Sequence, residues 1–161
     1  MTLDKVQTTE DAVSAHPFLL GMSEHHLRLL ADAAMQTHFE QDQVIFREVE
    51  QANRFYLIQD GCVVLEAKAK NGEPIVIDTI GSGDLLGWSW LFPPFLWHFS
   101  ARAVEPCAVI FFYGTVLREY CEQDNSLGFE LLKRMSQVMT RRLQLARGKL
   151  VAVASSPSCK S

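Results

Sequence analysis

The sequence predicts a mainly β domain, an antiparallel β-roll of the double-stranded jelly-roll type with an N-terminal helix and C-terminal helices. Between residues 44 and 113, many short apolar runs are separated by turns that contain glycine or polar residues, which is typical of antiparallel rolls and barrels. Helical periodicity occurs only near the two ends of the 161-residue chain. We therefore expect one domain in which the strands lie between terminal helices.

The composition is that of an ordinary globular protein. Hydrophobic residues make up 48% of the chain and charged residues 21%, and the formal net charge is −4. An acidic balance argues against non-specific binding to nucleic acid. No apolar run reaches the ~18 residues that a transmembrane helix needs, and the N-terminus lacks the apolar segment of a signal peptide. We expect a cytoplasmic protein that does not contact a membrane.

The residues that commonly carry catalysis or bind metals form no known motif. The cysteines form no CxxC pair and are expected to be reduced thiols; they lie at positions 62, 107, 121 and 159. The five histidines include no His-x-His pair, which the metal-binding cupin roll would require. The sequence also lacks a nucleophile elbow and a phosphate loop. We therefore expect neither a metal site nor enzymatic activity.

The N-terminal region contains one amphipathic helix. Residues 1–13 are polar and are expected to be disordered, and the roll is expected to occupy residues 14–125. Ser23 is a suitable N-cap for a helix that extends to about residue 35, because apolar residues recur at helical spacing after it.

Six stretches are predicted to be strands. Asn71-Gly72, between two apolar runs, is the strongest hairpin signal in the chain. The predicted strands comprise residues 44–46, 54–58, 62–67, 74–80, 100–104 and 108–113.

The segment between the fourth and fifth predicted strands, residues 81–99, is called here the 81–99 loop. Its three glycines permit positive φ and close approach of the backbone, and the run after them is expected to make one helical turn. The loop contains every tryptophan of the chain, and Pro93-Pro94 interrupts both helix and central strand. The loop is therefore expected to be either a ligand cradle or an apolar plug.

The C-terminal part is predicted to be helical, with a short helix at 114–123 and a long one from an N-cap at Ser126 to residue 150. Residues 151–161 are expected to form a loose tail. Because cations late in a helix suit the helix dipole, the basic residues of the long helix are expected to be solvated rather than to bind DNA.

The long helix has two apolar stripes. One includes Leu131, Met135 and Val138. The other follows a heptad seam, which is typical of paired helices and includes Leu132, Met139, Leu143, Ala146 and Leu150. We expect one stripe to pack on the roll and the seam to form a two-fold homodimer; the alternative is a single wide face that covers the domain.

Four motifs together resemble the cyclic nucleotide-binding domain family, which includes the sensor domains of catabolite-activator and fumarate–nitrate regulators. The resemblance spans roughly residues 18–147 and implies an eight-stranded β-roll, a phosphate-binding cassette at the 81–99 loop and a long helix that often dimerises. The motifs are Phe46-Arg-Glu, Arg54-Phe-Tyr-Leu-Ile-Gln-Asp-Gly61, Gly81-Ser-Gly-Asp-Leu-Leu-Gly87 and Arg102-Ala-Val-Glu-Pro-Cys-Ala-Val109.

The resemblance also implies a set of ligand-contact positions. In the family, backbone N–H groups cradle the cyclic phosphate, a glutamate accepts from the ribose 2′-hydroxyl and an arginine pairs with the phosphate. The positions that match are Gly83, Asp84, Leu85, Leu86, Gly87, Trp88, Trp97, His98, Phe99 and Arg102.

This sequence departs from the family at the charged positions of the cassette. Asp84 replaces the glutamate and is one methylene shorter, and either Trp97 or Phe99, depending on the alignment, replaces the arginine. Arg102 is the remaining cation that could reach the loop. Losing a phosphate–arginine hydrogen bond costs roughly 1.5–3 kcal/mol, which weakens binding roughly tenfold to hundredfold. Tight binding of cyclic AMP or cyclic GMP is therefore not expected.

Three uses of the aromatic residues remain open. They could fill the pocket, or they could line a site for a small anionic or aromatic ligand, with Trp97, His98 and Arg102 as polar contacts. They could also form a docking patch for a protein partner. His98 is expected to be packed among the rings rather than to act as a pH-sensitive contact.

The predicted function is a regulatory or sensor module with a degenerate phosphate-binding cassette. The alternative is a ligand-free protein-interaction module whose pocket is filled by its own aromatic side chains. Transcription factors of the family carry a helix-turn-helix after the long helix, and the residues that follow position 150 are too few for one. Direct DNA binding is therefore not expected.

Overall fold

Two four-stranded antiparallel sheets, flanked by helices, form the structure, a computed structural model that describes residues 8–155. The helices are α1 (Thr9–Ala15), α2 (Glu24–Ala33), α3 (Gly114–Gln123) and α4 (Asn125–Ser155), with a 3₁₀ turn at Pro17–Leu19. The strands are β1 (Met35–Phe39), β2 (Val44–Phe46), β3 (Arg54–Asp60), β4 (Cys62–Lys68), β5 (Pro74–Gly81), β6 (Leu85–Leu86), β7 (Ser100–Ala103) and β8 (Cys107–Tyr113). The predicted fold class is confirmed.

The two sheets face each other and enclose the first of two apolar cores. The first sheet has the order β1-β8-β3-β6 and the second the order β2-β7-β4-β5. Tyr56 and Ile58 of β3 point into the interior of the roll, while Phe55 and Leu57 point outward into a second core that the helices cover. Because both faces of β3 and β8 are buried, these strands are continuous apolar runs in the sequence.

Residues 9–13, which were expected to be disordered, form most of α1. The Thr8 side chain accepts a hydrogen bond from the Asp11 N–H group and caps this helix. Ala12 and Val13 are buried in the helix-covered core. The prediction of disorder was wrong here. Two buried residues are enough to hold a short helix against the core, but the segment still looks polar in the sequence because only two of its residues are buried. Residues 1–7 lie outside the described residues.

Strands β1 and β6 were not predicted. In β1, which pairs only with β8, the side chains alternate between exposed and half-buried and give no clear apolar pattern. Strand β6 has two residues, which is too short for any periodicity.

Helix α2 begins with Ser23 as its N-cap, as predicted, and ends at Ala33 because β1 starts two residues later.

Helix α4 is capped by Asp124 rather than by Ser126. The Oδ1 atom of Asp124 accepts hydrogen bonds from the Ser126 hydroxyl at 2.6 Å and from the N–H groups of Ser126 and Leu127. These hydrogen bonds, of which the one from the Ser126 hydroxyl has the largest effect, lower the pKa of Asp124 to about 2. The helix continues to Ser155, five residues beyond the prediction, and residues 156–161 of the expected tail lie outside the described residues.

Within residues 8–155, every helix is too short or too polar to span a lipid bilayer.

Candidate functional site

The first half of the 81–99 loop is a tight turn held by Asp84. The Gly81 N–H donates to Asp84 Oδ2 at 2.9 Å, and the Asp84 N–H donates to the Gly81 carbonyl at 3.0 Å. Two further backbone bonds join this turn to Ile58 in β3. The Asp84 carboxylate thus stabilises its own loop, where the family's glutamate would meet a ribose.

Trp97 covers the inner side of this turn. Gly87 has a φ of +87°, and a Cβ atom built there would collide with the Trp97 ring. The ring is 3% exposed and stacks on Phe46, with a centroid distance of 3.8 Å and an interplanar angle of 9°. Of the two positions that could match the family's arginine, Trp97 thus holds a buried indole against the backbone of the cradle, and Phe99 is buried as well.

The other aromatic residues of the loop are divided between the two cores. Phe99 lies in the roll interior beside Phe46, and Trp90 is fully buried beside Phe55 in the helix-covered core. Phe92 is 44% exposed. The expected helical turn is absent from this stretch: two overlapping turns, Trp88 to Leu91 and Ser89 to Phe92, occur instead.

The second half of the loop pairs with the segment that joins β2 to β3. The Val49 N–H donates to the Trp97 carbonyl at 2.9 Å, and the Trp97 N–H donates to the Glu50 carbonyl at 3.0 Å. A third bond runs from the Ala52 N–H to the Phe95 carbonyl at 2.7 Å. This irregular ladder holds the backbone of Trp97 through both its N–H group and its carbonyl.

Arg102 lies on the outer surface of the second sheet. Its neighbours Ala101 and Ala103 point into the roll, so strand alternation directs Arg102 outward. Its Nε donates to Glu66 Oε1 at 2.9 Å, and its Nη1 lies 3.3 Å from Asp42 Oδ1. The expected role of Arg102 as the cation of the cassette does not agree with this position, because the side chain points away from the loop and already has two carboxylate partners.

His98 is exposed to solvent, contrary to the expectation that it would be packed among the rings. Of the three residues expected to be polar contacts of a bound ligand, Trp97 is buried, His98 is on the surface and Arg102 is on the outer face of the sheet. The structure therefore does not bring these side chains together at one site.

Arg118 of α3 and two arginines of α4, Arg141 and Arg142, reach the 81–99 loop. The basic residues of α4 were expected to be solvated. Arg142 is the one that is bonded to the backbone of the glycine-containing half of the loop. Its Nη2 donates to the Leu85 carbonyl at 2.6 Å, and its guanidinium carbon lies 5.3 Å from the centre of the Trp88 ring. Its Nη1 is buried and has no hydrogen-bond partner. Burial lowers the pKa of Arg142 below its usual value, while the charge of Asp84 opposes this shift. Two adjacent arginines at 141 and 142 were visible in the sequence, but their contacts with the loop depend on how α4 lies on the roll.

Three clefts lie at or near the loop. One, of about 320 Å³, is lined by Trp97 with Phe46 and Arg54. Another, of about 420 Å³, lies on the outer surface of the second sheet around Arg102 and includes no residue of the loop. The third, of about 250 Å³, lies between α4 and the β4–β5 hairpin. We call it the α4 cleft; it is lined by Leu65, Ile77, Asp78, Trp88, Phe99, Arg142, Leu145, Ala146 and Lys149.

The apolar residues of α4 separate into a covered and an open stripe. Leu127, Leu131 and Met135 are buried against the helix-covered core. Of the predicted seam, Leu132, Leu143 and Leu150 are 43%, 70% and 71% exposed. Met139 is half-buried and Ala146 is exposed.

The residues between 8 and 155 include no group of three or more His, Cys, Asp or Glu side chains that could hold a metal ion.

Comparisons with known proteins agree with the geometry of the roll. The family model described as "Cyclic nucleotide-binding domain" matches residues 36–124. A protein of Geobacter metallireducens GS-15 assigned to the cyclic nucleotide-binding class is 27% identical, with a TM-score of 0.70 over 78% of this chain and 91% of that one.

Two further solved structures are similar in fold. A cyclic nucleotide-binding domain from Methylobacillus flagellatus KT is 18% identical, with a TM-score of 0.75 over 89% of this chain and 81% of that one. The regulatory subunit of a cAMP-independent protein kinase A from Trypanosoma brucei is 23% identical, with a TM-score of 0.68 over 89% of this chain and 50% of that one.

Proposed function

This chain belongs to the cyclic nucleotide-binding domain family, whose model covers more than half of it, and from this premise we propose that it is a non-enzymatic regulatory module that does not bind cyclic AMP or cyclic GMP in the family's manner. The observation that carries the proposal is the position of Trp97. Its ring is buried against Gly87, one of the glycines that match the family's phosphate-binding cassette.

The charges around the loop support the same proposal. Asp84 is hydrogen-bonded to its own turn, and Arg102 is paired with Glu66 and Asp42 on the other side of the sheet. A cyclic phosphate in the cradle would thus find neither of these groups as a partner and would lie against the buried Trp97 ring, and burying a charge that is not fully paired is strongly unfavourable. Moving the Trp97 ring into water to make room would cost at least about 2 kcal/mol more.

The similar regulatory subunit from Trypanosoma brucei is described as part of a cAMP-independent kinase. A regulatory protein with this fold can therefore work without cyclic AMP. This supports the proposal that the present chain kept the fold while the ligand of the cassette was lost.

Titration calorimetry with cyclic AMP and cyclic GMP tests the proposal. We expect no binding at micromolar nucleotide, whereas a family member with an arginine in its cassette, titrated in parallel as the positive control, binds. Micromolar affinity of the present chain for either nucleotide would contradict the proposal.

We also propose that the module is a two-fold homodimer formed through α4. Leu132, Leu143 and Leu150 are exposed at heptad spacing, whereas the adjacent stripe is already buried on the roll. A continuous exposed apolar stripe on a long helix favours pairing with a second copy. The seam, rather than the covered stripe, would then form the interface.

A second candidate function is a ligand-free module that only binds another protein. It is favoured by the filled interior of the roll and by Phe92, which is exposed beside Pro93 and Pro94 at the tip of the 81–99 loop. This candidate and a ligand-binding module differ in whether any small molecule binds next to the loop.

A further inference from the structure

The charges of this chain are distributed unevenly along its length. All 19 Asp and Glu residues lie before Leu131, whereas seven of the 15 Lys and Arg residues lie after it. An otherwise acidic protein thus ends in a helix whose charged residues from Leu131 onward are all basic. A separation of charge of this kind is typical of a surface that binds an anionic partner.

The last part of α4 is apolar and open to solvent. We call residues 147–155 the α4 end, and every residue in it is exposed. Its large apolar side chains, Leu150, Val151 and Val153, are 71%, 54% and 74% exposed. A helix of a soluble protein normally buries such side chains against another surface. These three side chains are left largely uncovered by the rest of the described chain.

A second copy can cover one side of the α4 end but not the others. Leu150 belongs to the seam of the proposed homodimer, and Val151 points about 100° away from it around the helix. Val153 points about 60° to the other side. Pairing through the seam therefore leaves Val151 in water, and a further element is needed to bury it.

The cations of the α4 end determine which kind of element fits. Arg147 lies four positions after Leu143 and three before Leu150, so it flanks the seam as the e and g residues of a coiled coil do. Two paired copies place like charges together there, and the helix from Leu131 onward has no carboxylate side chain to offset them. An acidic element would instead pair with Arg147 and Lys149.

Two other kinds of anionic partner fit the α4 end less well. A lipid bilayer takes up one face of a helix, whereas the apolar side chains of the α4 end point to different sides. In addition, α4 has no aromatic residue after Phe129 that could lie at a membrane interface. Nucleic acid is bound mainly through polar contacts to phosphates and bases, which would leave the aliphatic side chains uncovered. An acidic helix with an apolar stripe matches both the charge and the exposed apolar surface.

From these features we propose that the α4 end binds an acidic amphipathic helix of a partner protein. The apolar stripe of that helix covers Val151, and its carboxylates pair with Arg147 and Lys149, so that it joins the two α4 helices of the dimer in a small bundle. The inference rests on the proposed function in one respect, because a regulatory module that does not bind a cyclic nucleotide must act through another molecule.

A designed peptide tests the proposal on the full chain. It carries a fluorescein label, leucine at the a and d positions of its heptads and glutamate at e and g, and the control peptide has the same leucines with lysine at e and g. Fluorescence anisotropy should show that the acidic peptide binds at micromolar protein, at least roughly tenfold more tightly than the basic peptide. Its affinity should fall as the salt concentration rises.

Two matched pairs of variants locate the binding surface. Arg147→Glu should weaken binding of the acidic peptide roughly threefold to thirtyfold, whereas Lys70→Glu, at an exposed lysine of the β4–β5 hairpin, should leave it close to that of the wild type. Val151→Asp should weaken binding at least roughly tenfold while the protein stays dimeric in analytical ultracentrifugation. Its control is Val76→Asp, at a valine that is 52% exposed, which should bind the peptide normally.

Several results would overturn the proposal. Equal affinity for the two peptides, or binding that Arg147→Glu and Val151→Asp leave unchanged, would each do so. Dissociation of the dimer on peptide binding would also overturn it, because the peptide would then occupy the seam. Binding of phosphatidylglycerol vesicles or of a DNA duplex by a protein that does not bind the acidic peptide would identify a different anionic partner.

Failure of this proposal and failure of the proposed function are distinguishable. Micromolar cyclic AMP binding would contradict the proposed function whatever the peptides do, whereas absence of peptide binding alone would leave that function standing.

Discussion

At the scale of single residues, the contact between Gly87 and the Trp97 ring determines the shape of the 81–99 loop. The indole can lie flat on the backbone because Gly87 has no side chain and adopts a positive φ. On its other face the indole stacks on Phe46. In the family, a glycine at this place allows the backbone to approach a phosphate. In this protein, Gly87 allows the backbone to approach the Trp97 ring.

Substituting Gly87 tests this contact. Gly87→Ala forces a left-handed conformation on a residue with a Cβ and drives that Cβ into Trp97, so we expect a loss of unfolding free energy of about 2–5 kcal/mol. The matched control is Gly72→Ala, which has a similar φ of +84° but open space around it, and should lose only about 1–2 kcal/mol. Urea denaturation measures both, and equal losses would contradict the proposed packing.

His16 is the residue that should make stability depend on pH. Its Nε2 bonds to the Ile58 carbonyl at 2.8 Å, so it carries the proton, and its Nδ1 accepts from the Phe18 N–H. Burial lowers the pKa of His16 below its model-peptide value of 6.5, and the bond to Ile58 only partly offsets this. Below pH 6.5 the unfolded chain therefore binds more protons than the folded chain at this residue.

The stabilising contribution of neutral His16 should thus be complete above pH 6.5 and should be lost as the pH falls below that value. We expect the urea midpoint to drop between neutral and mildly acidic pH, and His16→Asn to reduce this dependence. His98→Asn, at an exposed histidine, serves as the control. An unchanged pH profile in His16→Asn would refute the assignment.

At the scale of elements, one face of α4 packs on the domain and another face is exposed. Leu127, Leu131 and Met135 attach its first half to the domain, while the second half contacts the 81–99 loop through Arg142 and leaves its apolar seam exposed. The Asp124 cap at its start makes three hydrogen bonds. The helix is therefore fixed to the domain on one face and presents an exposed apolar seam on another, where a second copy could bind.

The adjacent residues Leu131 and Leu132 lie on these two faces. Leu131 is 1% exposed, so Leu131→Ala should lower the free energy of unfolding by about 2–5 kcal/mol. Leu132→Ala, at an exposed position of the seam, should change the free energy of unfolding by no more than about 0.5 kcal/mol. Both are measured by urea denaturation in the Leu143→Asp background, which removes the contribution of self-association. Similar losses in the two variants would show that the seam also packs on the domain.

At the scale of the whole molecule, the exposed seam predicts self-association. Leu143→Asp places a charge in the proposed interface and should give a monomer in analytical ultracentrifugation, whereas the wild type is expected to sediment as a dimer. Gln144→Asp adds the same charge one residue away, outside the seam, and should remain dimeric. A monomeric wild type, or an effect of the same size in both variants, would rule out this interface.

Much of the fold could be predicted because its strands carry strong local signals. The hairpin at Asn71-Gly72 and the continuous apolar runs of β3 and β8 follow from turn chemistry and burial on both faces. Strand β1 and helix α1 could not be predicted, since an edge strand with exposed side chains and a seven-residue helix with two buried residues lack a clear period. Their positions depend on the surfaces that receive them.

The sequence by itself determined the class of fold, the place of the 81–99 loop and the absence of an arginine where the family has one, because turn residues, strand periodicity and motif spacing are local properties. Only the tertiary structure decided how the charges around the loop are used. Arg102 turns outward because its strand neighbours turn inward, and Arg142 arrives from a helix more than forty residues later in the chain. Such a contact depends on how α4 packs across the roll, and neither residue type nor spacing encodes that packing locally.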